Sequence, residues 1–283
     1  MEERVVLVRL GELTLKGPKA REEMVRILIG NIVHRFRERG AEMVYRREGG
    51  RLYVHTPDLG TAKWVLSRSF GVRSFSPSIM VDAELGSILE AALSEIPEEF
   101  SGTFAVRVRR RGDFPLTSQE TAARLGEGIL GARPGASVDL ENPDLEVGVE
   151  IRGSIAYVFT HWCPGPGGLP LGSEGTAVAY VDSAEGALAA WLVLRRGARL
   201  RIFSPSGEGE VLRDWCHLCP FLCGSLQDAA EDARKKGYGL VLPRPAGVDA
   251  TQLLPLSSLA VREFMEVMLR GPGPCRRTRT IYK

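Results

Sequence analysis

The sequence predicts an α/β protein with an α+β N-terminal half and a C-terminal parallel sheet covered by helices. Three observations lead to this prediction. Strand and helix patterns follow the order βαββαβ over residues 1–80, a segment rich in Gly and Pro interrupts the chain at 164–170, and strands then alternate with helices. The 283 residues are enough for two or three domains, each with its own core.

The first unit opens with an apolar strand and a long helix that begins at Pro18. Gly49 and Gly50 separate two further strand patterns, as in a β-hairpin. A short helix over 59–70 and a strand over 72–81 complete the order of a ferredoxin-like domain, which we predict over residues 1–80. The apolar side chains of the long helix recur at helical spacing, at Val25, Leu28, Ile32 and Phe36.

A second α+β unit is predicted over residues 81–165. Its clearest strand pattern, 103–111, alternates apolar side chains with arginines, which therefore project from the opposite face. A helix follows that begins at Thr117 and Ser118, and further strands complete the sheet. The alternating arginines are Arg107, Arg109 and Arg111.

The chain after residue 165 is predicted to form a separate domain. Residues 166–175 are predicted to be a linker because of their Gly and Pro content. Strands and helices alternate in βα order over residues 176–283, which predicts a Rossmann-like parallel sheet covered by helices.

Charge is unevenly distributed along the chain, although the net charge is only +2. Residues 1–75 carry 15 Lys and Arg against 9 Asp and Glu, whereas residues 76–165 carry 7 against 14. A basic N-terminal segment is typical of a protein that binds a polyanion. Basic side chains also surround the start of the first helix, where backbone N–H groups favour anions; they are Lys16, Lys19 and Arg21.

The three arginines of strand 103–111 have a spacing that suits nucleic acid. Side chains two residues apart on one strand face stand roughly 6.6–7 Å apart, which is comparable to the distance between successive phosphates. Guanidinium groups also pair well with phosphate. Two interpretations fit this pattern equally, a phosphate-binding surface and a solvated charged strand.

The sequence predicts a cytoplasmic protein. It contains no run of 18 apolar residues that would span a membrane, and its first residues lack the pattern of a signal peptide. Five cysteines are too few for a disulfide scaffold in a chain of this length. Three of them, Cys216, Cys219 and Cys223, fall within eight residues, which indicates a metal site or simple packing.

Four segments resemble the tRNA 4-thiouridine synthetase family, also called the thiamine-biosynthesis or tRNA sulfurtransferases. They are RLGELTLKG at 9–17, FPLTS at 114–118, VDLENPD at 138–144 and GGLPLG at 167–172. The second and third resemble the family's THUMP module, predicted here over residues 81–165. The resemblance implies that the ferredoxin-like and THUMP units together bind tRNA through its shape and backbone, with Thr117 and Ser118 on the same surface.

The resemblance also implies an ATP pyrophosphatase (PP-loop) domain, whose phosphate loop reads S-G-G-x-D-S after its first strand. Asp182 and Ser183 replace both glycines here, so that an acidic side chain and Cβ atoms stand where phosphates would approach. Position 248 and the pair at 260–261 also depart from the family. The resemblance further implies a truncated domain, because the chain is shorter than the family pattern between Phe203 and Cys216. The sequence therefore predicts a degenerate loop that does not bind ATP. Its six positions are Val181, Asp182, Ser183, Ala184, Glu185 and Gly186.

Cysteines are retained where archaeal family members carry an iron–sulfur site. Cys216 and Cys219 form the C-x-x-C pair, Cys275 lies near the third position, and Cys223 could supply a fourth ligand. Zinc fits the same ligand types, and packing without a metal is the third interpretation. Cys163 is expected to be inert.

The preferred hypothesis is a tRNA-binding THUMP protein that serves tRNA modification of the 4-thiouridine, sulfur-transfer type without adenylating its substrate. A partner protein would then perform the chemistry. One alternative is an active tRNA sulfurtransferase with a cysteine-bound iron–sulfur cluster. The other is an RNA-binding protein whose C-terminal domain is a zinc-stapled structural or dimerisation module. The resemblance makes a homodimer reasonable, and the sequence leaves open whether the chain is an enzyme.

Overall fold

The computed structural model describes residues 3–11, 17–48, 50–256 and 261–277, without the side chains of 261–264. The strands are β1 (Glu3–Leu10), β2 (Val44–Glu48), β3 (Arg51–His55), β4 (Val72–Asp82), β5 (Thr103–Arg111), β6 (Ser137–Val138), β7 (Leu145–Arg152), β8 (Ile155–Phe159), β9 (Cys163–Pro164), β10 (Thr176–Tyr180), β11 (Arg199–Phe203), β12 (Phe221–Leu222), β13 (Leu240–Val241) and β14 (Gln252–Leu253). The helices are α1 (Pro18–Glu38), α2 (Leu59–Ser67), α3 (Leu85–Glu95), α4 (Ser118–Ala132), α5 (Ala184–Arg195), α6 (Leu226–Lys236) and α7 (Val261–Arg270).

The N-terminal half is built on one long mixed sheet with the order β2-β3-β1-β4-β8-β7-β5-β6, and β9 pairs with β4. The predicted order βαββαβ is confirmed for β1 to β4. Strand β4 joins the two N-terminal units, because its first part pairs with β1 and its end pairs with β8. The ferredoxin-like and second units therefore share a continuous sheet.

Helix α1 packs on this sheet through the side chains that the periodicity predicts. Val25, Leu28, Ile32 and Phe36 are all buried in one cluster with α2 and strands β1, β3 and β4. The hairpin prediction is also confirmed, since β2 and β3 pair antiparallel and Gly50 has a φ of 80°. Local patterning is thus sufficient to place the helix-covered face of the first unit.

Strand β5 has the bounds and the facing that its alternation predicts. Phe104 and Val106 are buried under α3 and α4, whereas the arginine side chains at 107, 109 and 111 are exposed. Strand β5 runs parallel to β7, with Arg109 opposite Glu150. The arginine row therefore lies on the face turned away from the four helices.

The segment predicted as a linker is packed rather than loose. Leu169 and Leu171 are buried, the Gly71 N–H donates to the Gly167 carbonyl at 2.8 Å, and the Leu169 N–H donates to the Arg195 carbonyl at 2.9 Å. Gly168 has a φ of 72°, and a Cβ there would lie 2.2 Å from the Arg195 carbonyl oxygen. This segment therefore joins the two halves tightly.

The C-terminal half is the predicted Rossmann-like parallel sheet, with the order β12-β11-β10-β13-β14. Helices α5 and α7 pack on one face and α6 on the other. Phe70 enters this core from the N-terminal half, with its ring 5.5 Å from that of Trp191 and 5.4 Å from that of Trp215. None of the described helices is long and apolar enough to cross a membrane.

Candidate nucleic-acid interface and cysteine pairs

The sheet face turned away from α1–α4 carries aromatic and charged side chains. Tyr53 of β3 and Tyr157 of β8 stack with their ring centroids 4.5 Å apart, next to Val5, Leu7 and Phe159. Burial raises the pKa of Tyr53 to about 12. This apolar patch lies on strands β1, β3 and β8, and β7 separates it from the arginine row of β5.

A buried carboxylate, Glu150 of β7, holds charged side chains from both N-terminal units on this face. Its oxygens accept from Arg9 at 3.2 Å, Arg51 at 3.1 Å and Arg152 at 2.9 Å. Burial alone would raise the pKa of Glu150, but the arginines outweigh it and the pKa lies below its usual value. The network therefore fixes the two units to each other.

The three predicted phosphate ligands on β5 are not equivalent. Arg107 donates to a Glu146 oxygen at 3.0 Å and to the Leu140 carbonyl at 2.5 Å, so its guanidinium group already has partners in the protein although the side chain is exposed. Arg109 and Arg111 are exposed and have no ion-pair partner in the described part of the chain. Two of the three arginines thus remain available to an external anion.

The other predicted RNA ligands have mixed surroundings. Lys19 is exposed in the first turn of α1, which has no side-chain cap and no acidic residue. Arg21 is half-buried, and its Nε has no hydrogen-bond partner among the residues described. Lys16 lies outside the described residues. Helix α1 therefore begins with an uncapped, basic turn.

Thr117 has a structural role that the motif did not reveal. Its hydroxyl accepts from the Glu120 N–H at 3.2 Å, and the Glu120 carboxylate accepts from the Thr117 N–H at 2.8 Å. This capping box starts helix α4, of which Ser118 is the first residue. The spacing Thr-x-x-Glu could have identified this role from the sequence.

The predicted degenerate loop, residues 181–186, connects β10 to α5 at the carboxyl end of the central strand of the parallel sheet. Anions often bind at this place in such sheets. Here the Ser183 hydroxyl accepts from the Gly186 N–H at 3.1 Å and caps the helix. Asp182 is exposed beside it, and Glu185 pairs with Arg244 at 2.8 Å. The loop therefore satisfies a helix donor itself and presents acidic groups.

The structure does not bring the predicted metal ligands together. Cys216 and Cys219 form a disulfide, whereas Cys275 forms a disulfide with Cys163. Trp162 and Arg276 form an antiparallel bridge, which brings the C-terminal segment alongside β9. The neighbouring residues Cys163 and Cys275 therefore lie next to each other. The structure therefore places Cys275 with Cys163 and apart from Cys216 and Cys219, so the predicted three-cysteine set stays a prediction.

In the described part of the chain, no other residues complete a metal site. Cys223 is a free, exposed thiol, and within the described ranges no three His, Cys, Asp or Glu side chains form a group that could hold a metal ion. His217 packs against α1 with its ring 4.8 Å from that of His34, and burial followed by Arg35 lowers its pKa to about 3. Among the residues that the structure describes, no set of side chains is thus arranged to hold an iron–sulfur cluster or a structural zinc.

Comparison with known proteins supports the division seen in the long sheet. Residues 5–76 match the ThiI ferredoxin-like domain, and residues 82–161 match the THUMP domain. These two units, followed by a Rossmann-like domain, define the class of ThiI-type, THUMP-containing proteins.

The curated relatives identify the family. A tRNA sulfurtransferase from Pyrobaculum aerophilum is 41% identical over 213 residues, which are 73% of this chain and 43% of the relative. A probable tRNA sulfurtransferase from Aeropyrum pernix is 34% identical over 292 residues, which cover 96% of this chain and 73% of the relative. The chain belongs to the tRNA sulfurtransferase family. It spans about half the length or less of the first two relatives that it matches.

Two solved structures share the fold. PH1313 from Pyrococcus horikoshii is 28% identical, with a TM-score of 0.76 over 94% of this chain and 97% of that one. A 4-thiouridine synthetase, solved as an RNA complex with bound ATP, is 21% identical, with a TM-score of 0.75 over 96% of this chain and 88% of that one. The three-part architecture is therefore the fold of both proteins.

Proposed function

We propose that this chain binds tRNA through its N-terminal sheet and serves a cytoplasmic tRNA modification of the 4-thiouridine, sulfur-transfer type. Membership of the tRNA sulfurtransferase family and the THUMP match support the substrate and the type of reaction. The observation that carries the proposal is the exposed pair Arg109 and Arg111, which stand on one strand face of the THUMP unit.

This pair suits a phosphate backbone better than a base edge. The two guanidinium groups follow a spacing of two residues, comparable to that of successive phosphates. A strand face cannot enter the deep, narrow groove of an RNA helix, so contacts to the backbone and to single-stranded ends are the ones it can make. Lys19 and Arg21 at the uncapped start of α1 would supply a second set of contacts.

We further propose that the C-terminal domain does not bind ATP. A loop capped by its own Ser183 hydroxyl and flanked by Asp182 and Glu185 is a poor host for a triphosphate. The chain would then present tRNA to a separate sulfur-transfer protein, either as a monomer or as a homodimer. Pull-down with labelled tRNA bound would test for such a partner, and light scattering would establish the oligomeric state.

The test of tRNA binding is the double variant Arg109→Ala/Arg111→Ala. Loss of two phosphate contacts should weaken tRNA binding at least roughly tenfold and lower the salt slope of log Kd by about 2. The matched control is Arg124→Ala, which removes an exposed arginine from α4. Fluorescence anisotropy with labelled tRNA measures both quantities, and equal affinities for the double variant and the control would remove β5 from the interface.

A further inference from the structure

We propose that a cluster of arginines around Trp64 binds a backbone phosphate of RNA where the ferredoxin-like unit meets the C-terminal domain. The Trp64 cluster consists of Trp64, Arg35, Arg39, Arg68 and Arg213. This inference rests on the proposed function and extends the RNA footprint to a surface remote in sequence from the arginine row of β5.

Trp64 of α2 organises three of these arginines. The guanidinium carbon of Arg39 lies 3.3 Å from the centre of the indole, and those of Arg35 and Arg68 lie 4.7 and 4.8 Å from it. Cations within about 6 Å of an indole face are attracted to it. Stacking of this kind fixes the plane of a guanidinium group while its N–H donors remain directed outwards.

Two of the arginines are anchored within the protein. Arg35 is 3% exposed and donates to the carbonyl oxygens of Arg68 and Asp214, while its Nε has no hydrogen-bond partner in the described ranges. Arg68 pairs with the Asp214 carboxylate at 3.4 Å. Burial lowers the pKa of Arg35 to about 10, so its charge persists at neutral pH. These two side chains therefore position the cluster and supply fixed positive charge.

The other two arginines are exposed and line a surface cavity of about 480 Å³. Arg39 has no ion-pair partner among the described residues. Arg213 donates to both oxygens of Glu210 and stacks on Phe221, 4.2 Å from its ring centre. Because Arg213 and Glu210 are both more than half exposed, a phosphate can replace the carboxylate as the acceptor. The lining holds three arginines and one carboxylate, Glu38, which lies 3.3 Å from His34. The residues that line the cavity are Arg35, Glu38, Arg39, Thr61, Trp64 and Arg213.

The position of the cavity favours a polymer over a small anion. Arg39 directly follows α1, whereas Arg213 precedes the Cys216–Cys219 pair of the C-terminal domain. A phosphodiester bound between them would contact the RNA-binding half and the C-terminal half at once. Phosphate loops that hold nucleoside triphosphates are lined by glycine N–H groups. None of the described glycines lines this cavity. The arginine forks suit the oxygens of a backbone phosphate.

The test is the double variant Arg39→Ala/Arg213→Ala in the full chain. We expect its tRNA affinity to fall at least roughly tenfold and its salt slope to fall by about 2, since each lost phosphate contact lowers the slope by about 1. The control, Arg37→Ala, removes an exposed arginine from the same end of α1 that does not line the cavity. This control loses one positive charge, and that loss alone should change the tRNA affinity by no more than about twofold. Identical results for variant and control would overturn the proposal.

A second variant and titrations with two small anions distinguish an RNA phosphate site from a site for a small anion. Glu38→Gln removes the opposing carboxylate and should strengthen tRNA binding about twofold; weaker binding would contradict the site. Inorganic phosphate and Mg-ATP are titrated while tryptophan fluorescence is followed, with Trp64→Phe to assign the signal. Saturation by either at micromolar concentration, undisturbed by tRNA, would show a small-anion site and overturn the proposal.

Failure of this inference is distinguishable from failure of the proposed function. If Arg109→Ala/Arg111→Ala weakens tRNA binding and Arg39→Ala/Arg213→Ala does not, the Trp64 cluster is not part of the interface and the proposed function stands. If the parent chain does not bind tRNA at all, both proposals fall.

Discussion

Glu150 shows how one charged residue can hold the ferredoxin-like and THUMP units together. Its carboxylate is 2% exposed and receives three guanidinium groups, two from the ferredoxin-like strands and one from its own strand. A buried carboxylate is costly unless it is paired in this way. Glu150 and Glu146 thus engage the arginines with which they pair, whereas Arg109 and Arg111 have no ion-pair partner among the described residues.

Glu150→Gln should destabilise the chain by about 3 kcal/mol, because it leaves buried guanidinium groups without this carboxylate. Since the folded-state pKa of Glu150 lies below its ordinary value of 4.5, its contribution is complete above that pH and is lost as pH falls through the folded-state pKa. Urea unfolding of parent and variant at pH 7 and at lower pH measures this. Glu127→Gln, at an exposed site of α4, is the control and should change stability by less than about 0.5 kcal/mol. Equal unfolding free energies for the parent and Glu150→Gln at pH 7 would contradict a stabilising role of the Glu150 network.

At the residue scale, the sequence predicts which way a side chain faces but not what it contacts. Alternation in β5 places its arginines correctly on one face. The pairing of Arg107 with Glu146 depends on the register between β5 and β7, which alternation does not specify. The Cys163–Cys275 pair joins residues 112 positions apart, so spacing could not reveal it.

Elements with a strong local period were predicted well. Helix α1 begins at Pro18 as expected, and β5 has the predicted bounds. Two-residue strands such as β12 and β14 were missed, since they are too short to show a pattern and exist through pairing with their neighbours. The packed segment at 166–175 was predicted as a linker because Gly and Pro content does not distinguish a flexible tether from a close approach of backbones.

Gly168→Ala tests the importance of that packed segment. The substitution places a Cβ against the Arg195 carbonyl at a residue with positive φ, so we expect a loss of about 1–3 kcal/mol in unfolding free energy. Gly175→Ala, where a Cβ meets nothing within 4 Å, is the matched control and should be nearly neutral. Thermal unfolding followed by circular dichroism compares the two. If Gly168→Ala leaves the unfolding free energy unchanged, the segment can move away from α5.

At the scale of the whole molecule, one sheet spans the ferredoxin-like and THUMP units, and a shared core ties the first of them to the C-terminal domain. The fold class, the order of the units and the family resemblance were predictable from motifs and periodicity. The continuous sheet was not, because the pairing of β4 with β8 is a tertiary contact between units with separate patterns. If the proposed function holds, this arrangement presents tRNA with one continuous surface, and the C-terminal domain adds contacts rather than adenylation.

Isothermal titration of one preparation with tRNA and then with Mg-ATP tests this account most directly. We predict saturable tRNA binding that weakens steeply as salt is raised, and no measurable heat from Mg-ATP up to millimolar concentration. Micromolar binding of Mg-ATP that is lost in Ser183→Ala or Asp182→Ala, or an absence of tRNA binding at low salt, would contradict it.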